Sequence, residues 1–438
     1  MQRYRPFSIT MENGLDNIPA IWIISAMKRL IGKYIFDPEM TAEKMIFLTG
    51  PRQVGKTTFA QKWLGSVASE DTYFNWDDPS LIAKYKKNPL YFRNILDEKF
   101  KNNSVPFVFD EIHKHTEWRN ILKGFYDINH ERMQLLVTGS ARLGYFQKSG
   151  DSLVGRYFSY QLFPLGLPEV TADFSNILDN GEIFADGNLL AGRAREAKIQ
   201  EADEAFENLL KFGGFPEPFL KGTEKFHRRW QNNYRNLLTK EDVRDLSRIA
   251  DIKGLETLVE ILPAKVSSQI SIPSLSEDLG KKYDTIKNWI DILQGLYLVF
   301  TLRPWHKKIA RAIKKEKKLY FFDWSMLSEP GVVFKNLIAV SLIRMAARMT
   351  ETGLGNFEIR YLRDREKREV DFVLAKDNHP VCLFETKESD TDISKAGRFY
   401  GEKLNIPFYQ IVRNASKVET FPGDCFVIPA SNFLMLTG

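Results

Sequence analysis

Gly50-Pro51-Arg52-Gln53-Val54-Gly55-Lys56-Thr57 decides the fold. It fits G-x-x-x-x-G-K-[ST] at every fixed position, an apolar run precedes it at 45–48, and a helical pattern follows from Thr57. Glycine lets the main chain curl until successive N–H groups face one point. The helix N-terminus adds partial positive charge at that point. A loop of this kind holds a polyphosphate. Lys56 is expected on the β- and γ-phosphates, the Thr57 hydroxyl on Mg2+, and Gly50 to Thr58 around the ligand, which is read as ATP.

Around this loop, short apolar runs at 72–76, 107–109 and 135–137 alternate with helical stretches at 57–64 and 118–130. Short buried runs separated by helices predict a parallel sheet covered on both faces. The run ending Phe107-Val108-Phe109-Asp110-Glu111 is apolar and then doubly acidic. Asp110 is expected to serve the metal and Glu111 to polarise an attacking water. The run at 134–137 ends in Thr138-Gly139-Ser140-Ala141-Arg142, which offers Thr138 or Ser140 as a polar sensor of the γ-phosphate. Arg142, and Arg156 in Ser152-Leu153-Val154-Gly155-Arg156, are candidate arginine fingers, acting in cis or from a neighbouring copy. Each of these readings competes with a plain strand-end cap or a surface ion pair. His113 and His115 read as a solvated loop, and Trp118 as core beneath the P-loop helix.

The chain has 438 residues, enough for two to four domains, with 43% hydrophobic and 27% charged residues. Net charge is +6, which permits nucleic-acid contact without requiring it. Cys382 and Cys425 make no zinc motif, and so few thiols suggest a reducing, cytoplasmic setting. The apolar run at 18–27 is shorter than the about 20 residues a bilayer span needs, so no membrane partner is expected. An amphipathic helix is expected around 21–35, docking on the next domain.

GPRQVGKTT, VFDEIHK, TGSAR, SLVGRYF and the later GGFPEP at 213–218, taken in order, resemble prokaryotic AAA-type ATPases of the archaeal-ATPase-like clade. The resemblance extends over about 20–415. It implies an α/β P-loop NTPase core, then a helical and winged-helix part, then a C-terminal α/β domain similar to restriction endonucleases. The expected layout is a leader and helix at 1–40, the ATPase core at 41–170, a helical connection at 171–255, a winged-helix-like module at 256–325 and the nuclease-like domain at 326–438. GGFPEP itself reads as a turn fixing one helix against another.

Within the expected winged-helix module, 271–280 and 283–293 read as two helices, with a wing hairpin from 296–302 and 319–322. Lys282, Lys287, Asn288 and the basic segment 305–318 are candidate DNA contacts. In the last domain Asp371 precedes Glu385-Thr386-Lys387, the D…E-x-K order of the nuclease-like folds. Asp371 and Glu385 would hold a metal and Lys387 would steer water. Related sequences carry Phe-Glu-Asn on the preceding helix, whereas this chain has Phe334-Lys335-Asn336. Glu369 is a candidate to compensate, but it alternates to the other face from Val370 and is expected to point away. Three functions stay open: an ATPase switch that contacts DNA or assembles with copies of itself, an ATP-gated nuclease, and a regulator that binds ATP without hydrolysing it.

Overall fold

The computed structural model describes residues 28–41, 43–67, 70–101, 104–139, 153–197, 201–243, 251–306 and 317–437. Five parallel strands form the first sheet: β1 Met45–Thr49, β2 Tyr73–Asn75, β3 Val105–Asp110, β4 Met133–Thr138 and β5 Tyr157–Gln161, in the order β2-β3-β4-β1-β5. Side-chain alternation divides the strands between two cores. Ile46, Leu48, Val108 and Leu136 face Ala60 and Leu64 of helix α1, Lys56–Val67. Met45, Phe47, Phe107, Phe109, Leu135 and Val137 face the other layer, which contains helix α2, Trp118–Asn129. Trp118 therefore lies across the sheet from α1, not beneath it.

The sequence reading contains no strand at 157–161, because Ser159 and Gln161 break its apolar run. β5 forms there nonetheless, with Tyr157 stacked on Phe47 at 4.3 Å between centroids and Tyr160 buried in the α1 layer. The helix expected around 21–35 is also corrected where it is described: Leu30–Lys33 is a single 3-10 turn. Its Ile31 and nearby Ile35 still dock in the α1 layer as expected.

Helices α3 Ala202–Phe212 and α4 Pro216–Lys221 flank the Gly213-Gly214 turn. Farther along, α5 Ile272–Leu279 and α6 Tyr283–Gly295 precede an antiparallel hairpin of β6 Val299–Leu302 and β7 Lys318–Phe321. Ser271 caps α5 and Gly280 ends it in a left-handed conformation, as helix-end chemistry requires.

The last unit runs helix, three strands, helix, strands. Helix α7, Pro330–Glu351, is followed by β8 Phe357–Arg363, β9 Glu369–Lys376 and β10 His379–Lys387, an antiparallel meander. Helix α8, Lys395–Leu404, then leads to β11 Phe408–Val412, parallel to β10. β12 Glu419–Phe421, β13 Cys425–Pro429 and helix α9 Ala430–Thr437 complete a six-stranded sheet ordered β12-β13-β11-β10-β9-β8. By length and composition α7 is the one described helix able to cross a membrane. Here Phe334, Ile338, Leu342 and Met345 on it are buried in the protein's own core.

The segment expected as a mere connection has a specific seat. Leu178 N–H donates to Leu436 O, the Tyr409 hydroxyl to Phe184 O, and Asn432 to Ala194 O. Residues 177–197 thus cover the C-terminal sheet. One apolar cluster continues from Ile46 of the first sheet to Leu436 of the last helix.

α7 is keyed to the hairpin by Asn336, which is fully buried. Its Oδ1 accepts from Phe321 N–H at 2.9 Å and its Nδ2 donates to Phe321 O at 2.7 Å. Asn336→Ala would leave both groups of Phe321 buried without partners, a cost of about 2–4 kcal/mol. Urea unfolding is expected to give that loss; a change of only a few tenths would show the pair to be dispensable.

Candidate functional site

The P-loop curls as its glycines allow. Gly50 has φ +142° and Gly55 φ +103°, and a Cβ on Gly50 would meet Leu162 O at 2.3 Å. Pro51 and Val54 are buried, Arg52 is half-buried and Gln53 is exposed at the tip. Lys56 is buried and folds back: its ammonium donates to Gly50 O at 3.0 Å and Pro51 O at 2.8 Å. The loop's own carbonyls hold the cation where a phosphate would otherwise attract it.

Strand order carries the acidic pair to the loop. Asp110, at the end of β3, is buried and accepts three hydroxyls. Thr57 donates to Oδ2 at 2.9 Å, Tyr73 of β2 also donates to Oδ2, and Thr138 of β4 donates to Oδ1. Burial, and then the Asp110 charge, push the Tyr73 phenol well above its ordinary range. Glu111 follows in a left-handed turn with φ +58°, its N–H on Thr138 O at 3.1 Å. Burial holds its carboxyl above the usual carboxylate range, opposed by the Lys56 charge and reinforced by Asp110. His113 is buried, not solvated, with Nε2 3.5 Å from Glu111. His115 packs on Trp76.

Lys56, Thr57, Asp110, Glu111 and Thr138 therefore converge. Arg156 does not join them. It makes a two-pronged ion pair with Asp127, Nε–Oδ1 2.6 Å and Nη2–Oδ2 3.1 Å, and its carbonyl accepts from Met45 N–H. That is the start of β1, whereas the P-loop follows its end, about 16 Å away along five residues. Ser140 and Arg142 lie outside the described residues.

Several residues that sequence reasoning passed over complete the site. Arg29 donates from Nη1 to Val54 O at 2.8 Å, from Nη2 to Phe163 O, and from Nε to Glu169 at 2.9 Å. Glu169 also accepts from Leu30 N–H and Gly166 N–H. Beside Gly55 opens a cavity of about 560 Å³ lined by Gly32, Phe36, Thr58, Phe59, Trp63 and Pro216. Phe36 stacks on Trp63 at 4.2 Å. Pro216 comes from GGFPEP, so that turn reaches the P-loop. Its Gly214 O accepts from Leu165 N–H at 2.6 Å, and a Cβ on Gly214 would strike Trp324 at 2.6 Å. No local pattern marks a lone arginine at 29 or a proline at 216 as neighbours of residue 55.

The C-terminal part reaches the same edge of the ATPase sheet. The Tyr297 hydroxyl donates to Thr49 Oγ1 at 3.3 Å, one residue before the P-loop. Arg344 of α7 donates to Pro164 O at 3.1 Å, and burial lowers its guanidinium to about 10. Glu351 accepts from Gln161 N–H at 2.9 Å, and burial pushes its carboxyl up to about 8.

In the C-terminal sheet, Asp371 and Glu385 lie opposite each other on β9 and β10, adjoining the Phe384–Phe372 pair. Asp371 is paired with Lys335 at 2.8 Å, and Lys387 with Glu385 at 3.0 Å. Glu369 does not turn away as expected: two residues before Asp371 on β9, it shares that residue's face, pairs with Lys318 and Arg363 and lies close enough for its charge to act on Lys335. Among the described residues no three His, Cys, Asp or Glu side chains cluster as metal ligands.

Comparison with known proteins fits this geometry at the level of the core. Residues 42–171 match the AAA domain family, and residues 203–329 match a domain of unknown function (DUF8612). The first five-stranded sheet and its P-loop are an AAA-type core. An uncharacterized protein of Methanocaldococcus jannaschii, MJ1544, is 25% identical over 86% of this chain and 82% of its own length. An uncharacterized protein of Haemophilus influenzae is 19% identical over 83% of this chain and 92% of its own. Among solved structures, Aeropyrum pernix ORC1 in complex with DNA aligns with a TM-score of 0.29 at 14% identity, covering 68% of this chain and 86% of that one. AMPPCP-bound DnaA from Aquifex aeolicus aligns with a TM-score of 0.27 at 14% identity, covering 63% and 85%.

The Glu351 seam has a pH signature. A carboxyl whose folded pKa is about 8 binds its proton more tightly folded than unfolded. Its stabilising contribution is complete below the unfolded value of about 4.3 and is lost as pH rises through the folded value. Glu351→Gln is expected to remove that decline, so its advantage over wild type in urea unfolding should grow between about pH 5 and 8. A pH-independent difference would exclude this role.

Proposed function

We propose that this chain binds Mg-ATP at 50–58 and hydrolyses it, using the cycle as a switch. One observation carries the reading: a single buried carboxylate, Asp110, collects hydroxyls from Thr57, Tyr73 and Thr138 beside a lysine bonded to loop carbonyls. The residues fit the metal that such a nucleotide brings. Thr57 and Asp110 would hold Mg2+, which would neutralise charge between the outer phosphates. Lys56 would exchange the Gly50 and Pro51 carbonyls for phosphate oxygens. The curled amides of 51–57 would cradle the chain of phosphates, with Thr58 at the mouth of the neighbouring cavity. That cavity has the size of a purine and sugar site, and Phe36 and Trp63 supply flat apolar walls.

Glu111 is the proposed base. Its raised pKa suits it to take a proton from water, and its position beside Asp110 puts it at the phosphate end of the loop. Thr138 would hold Asp110 in register and sense the outer phosphate. Arg156 starts β5 at the far end of the sheet from its own P-loop, so as a finger it would serve a neighbouring copy. This supports a homo-oligomer. The proposed setting is the cytoplasm, in keeping with two buried free thiols.

Turnover of ATP by purified protein tests these roles. Lys56→Ala is expected to lose nucleotide affinity, and Glu111→Gln to keep affinity while losing about 10²–10⁴ in rate. The acid limb of the wild-type pH–rate profile should lie above the ordinary carboxylate range and vanish in Glu111→Gln. Arg156→Ala should bind ATP normally yet turn over slowly at every protein concentration. Full activity in Glu111→Gln would remove Glu111 as the base, and nucleotide binding without turnover in wild type would leave a regulator that only binds.

We also propose that α5, α6 and the β6–β7 hairpin form a winged-helix module that contacts DNA backbone. Lys281, Lys282, Lys287 and Asn288 are exposed around the start of α6. Arg303 and Lys317 follow and precede the paired Leu302 and Lys318, so they flank the loop end of the hairpin. Burial, and then the Arg303 charge, hold the Lys317 ammonium below its ordinary range, opposed by Asp291 and reinforced by Lys287. The rest of the basic segment, 307–316, lies outside the described residues. Duplex DNA is expected to bind with steep salt dependence, and Lys287→Ala with Lys317→Ala to reduce the slope by about 2. Absence of binding at low salt would turn this surface toward protein partners.

A further inference from the structure

Nuclease-like folds with a D…E-x-K order use a divalent cation between the two carboxylates, so the residues around Asp371 and Glu385 can be tested for that fit. They fail it. The Asp371 Oδ1 atom takes the Lys335 ammonium at 2.8 Å, and its Oδ2 takes the Thr386 N–H at 3.1 Å and the Thr386 hydroxyl at 3.0 Å. Glu385 Oε1 takes the Lys387 ammonium at 3.0 Å. Three of the four carboxylate oxygens are thus engaged, and two carboxylates face two ammonium groups. Glu369, the nearest further carboxylate in sequence, is bound by Lys318 and Arg363.

Lys335 cannot easily swing aside. Its neighbour Asn336 is fixed to both main-chain groups of Phe321, and Phe334 is buried against Phe206. These contacts set the rotation of α7 and aim residue 335 at β9. The preceding turn of α7 thus delivers a cation to the place where a third carboxylate would complete a metal site.

We infer that Lys335 is a built-in counter-cation that takes the place of a divalent metal, and that the Asp371–Glu385 site is a closed ion-pair cluster without nuclease activity. A divalent ion entering it would have to displace one ammonium and lie within a few ångströms of another. The strands keep their nuclease-like order because they serve a different purpose: their other face seats 177–197, α7 and α9 against the ATPase core.

The test uses the full chain without nucleotide, so that it does not depend on the P-loop. Mn2+ binding is followed by the loss of free Mn2+ signal in electron paramagnetic resonance. Wild type should have no saturable site that Asp371→Asn removes, and no divalent-dependent nicking of supercoiled DNA. Lys335→Glu should gain Mn2+ affinity by about 10–100-fold, and the gain should disappear when Asp371→Asn is added. Should Lys335→Glu fail to fold, Lys335→Met supplies the same information: a melting temperature lowered in chelator and raised again by Mn2+. A wild-type Mn2+ site abolished by Asp371→Asn, or no Mn2+ response in either Lys335 variant, would overturn the assignment.

Discussion

The Asp110 carboxylate is the constraint on which the nucleotide site depends. It stands at the end of β3 and receives hydroxyls from β2, from β4 and from the first turn of α1. A hydrogen bond to a charged acceptor contributes about 1.5–3 kcal/mol, and the same bonds offset the cost of keeping the charge out of water. Their larger effect is geometric. Because β4 lies between β3 and β1, Thr138 is paired with Leu48 of the strand carrying the loop while its hydroxyl reaches the acid on β3. A change of register in either strand would separate the carboxylate from Thr57.

The loop is held from behind by a second charged group. Arg29 ties Val54 O of the P-loop to Phe163 O, and Glu169 joins Arg29 to two further N–H groups. Arg344 of the C-terminal helix reaches the adjoining Pro164 O, and GGFPEP lies between, with Leu165 bonded to Gly214 and Pro216 beside Gly55. A movement of the P-loop amides therefore meets resistance from residues as distant in sequence as 29, 216 and 344. Such a packed, multiply bonded seam favours discrete arrangements over gradual deformation, which is the physical requirement for a switch. Phosphate binding would draw Lys56 off the Gly50 and Pro51 carbonyls and change the load on that seam directly.

Much of this was legible in the sequence, for reasons that differ by residue. The P-loop, Asp110 and Glu111 could be read because their chemistry needs fixed residue types at fixed spacing next to apolar runs. Asp371, Glu385 and Lys387 could be read as a set because the D…E-x-K order is a fixed pattern of residue types. β5 was missed because an edge strand with Ser159 and Gln161 has no continuous apolar face. Arg29, Glu169, Pro216 and Arg344 were illegible because their partners are main-chain carbonyls and N–H groups, which leave no trace in side-chain pattern. Arg156 could be read only as an arginine following a glycine, and the sheet direction alone reveals that it lies at the opposite end of β1 from its own P-loop.

The two acidic sites of this chain differ in what balances them. At Asp110 the partners are neutral hydroxyls, and one ammonium, Lys56, is bonded nearby to the Gly50 and Pro51 carbonyls. At Asp371 the partner is an ammonium, and the charge is already spent. Hydroxyl ligands can turn to share an acid with an incoming cation, since each has lone pairs of its own to offer. An ammonium has none and must leave. On these proposals the same residue type is open to a metal at the end of β3 and closed to it near the start of β9, and the difference lies in one side chain contributed by a neighbouring helix.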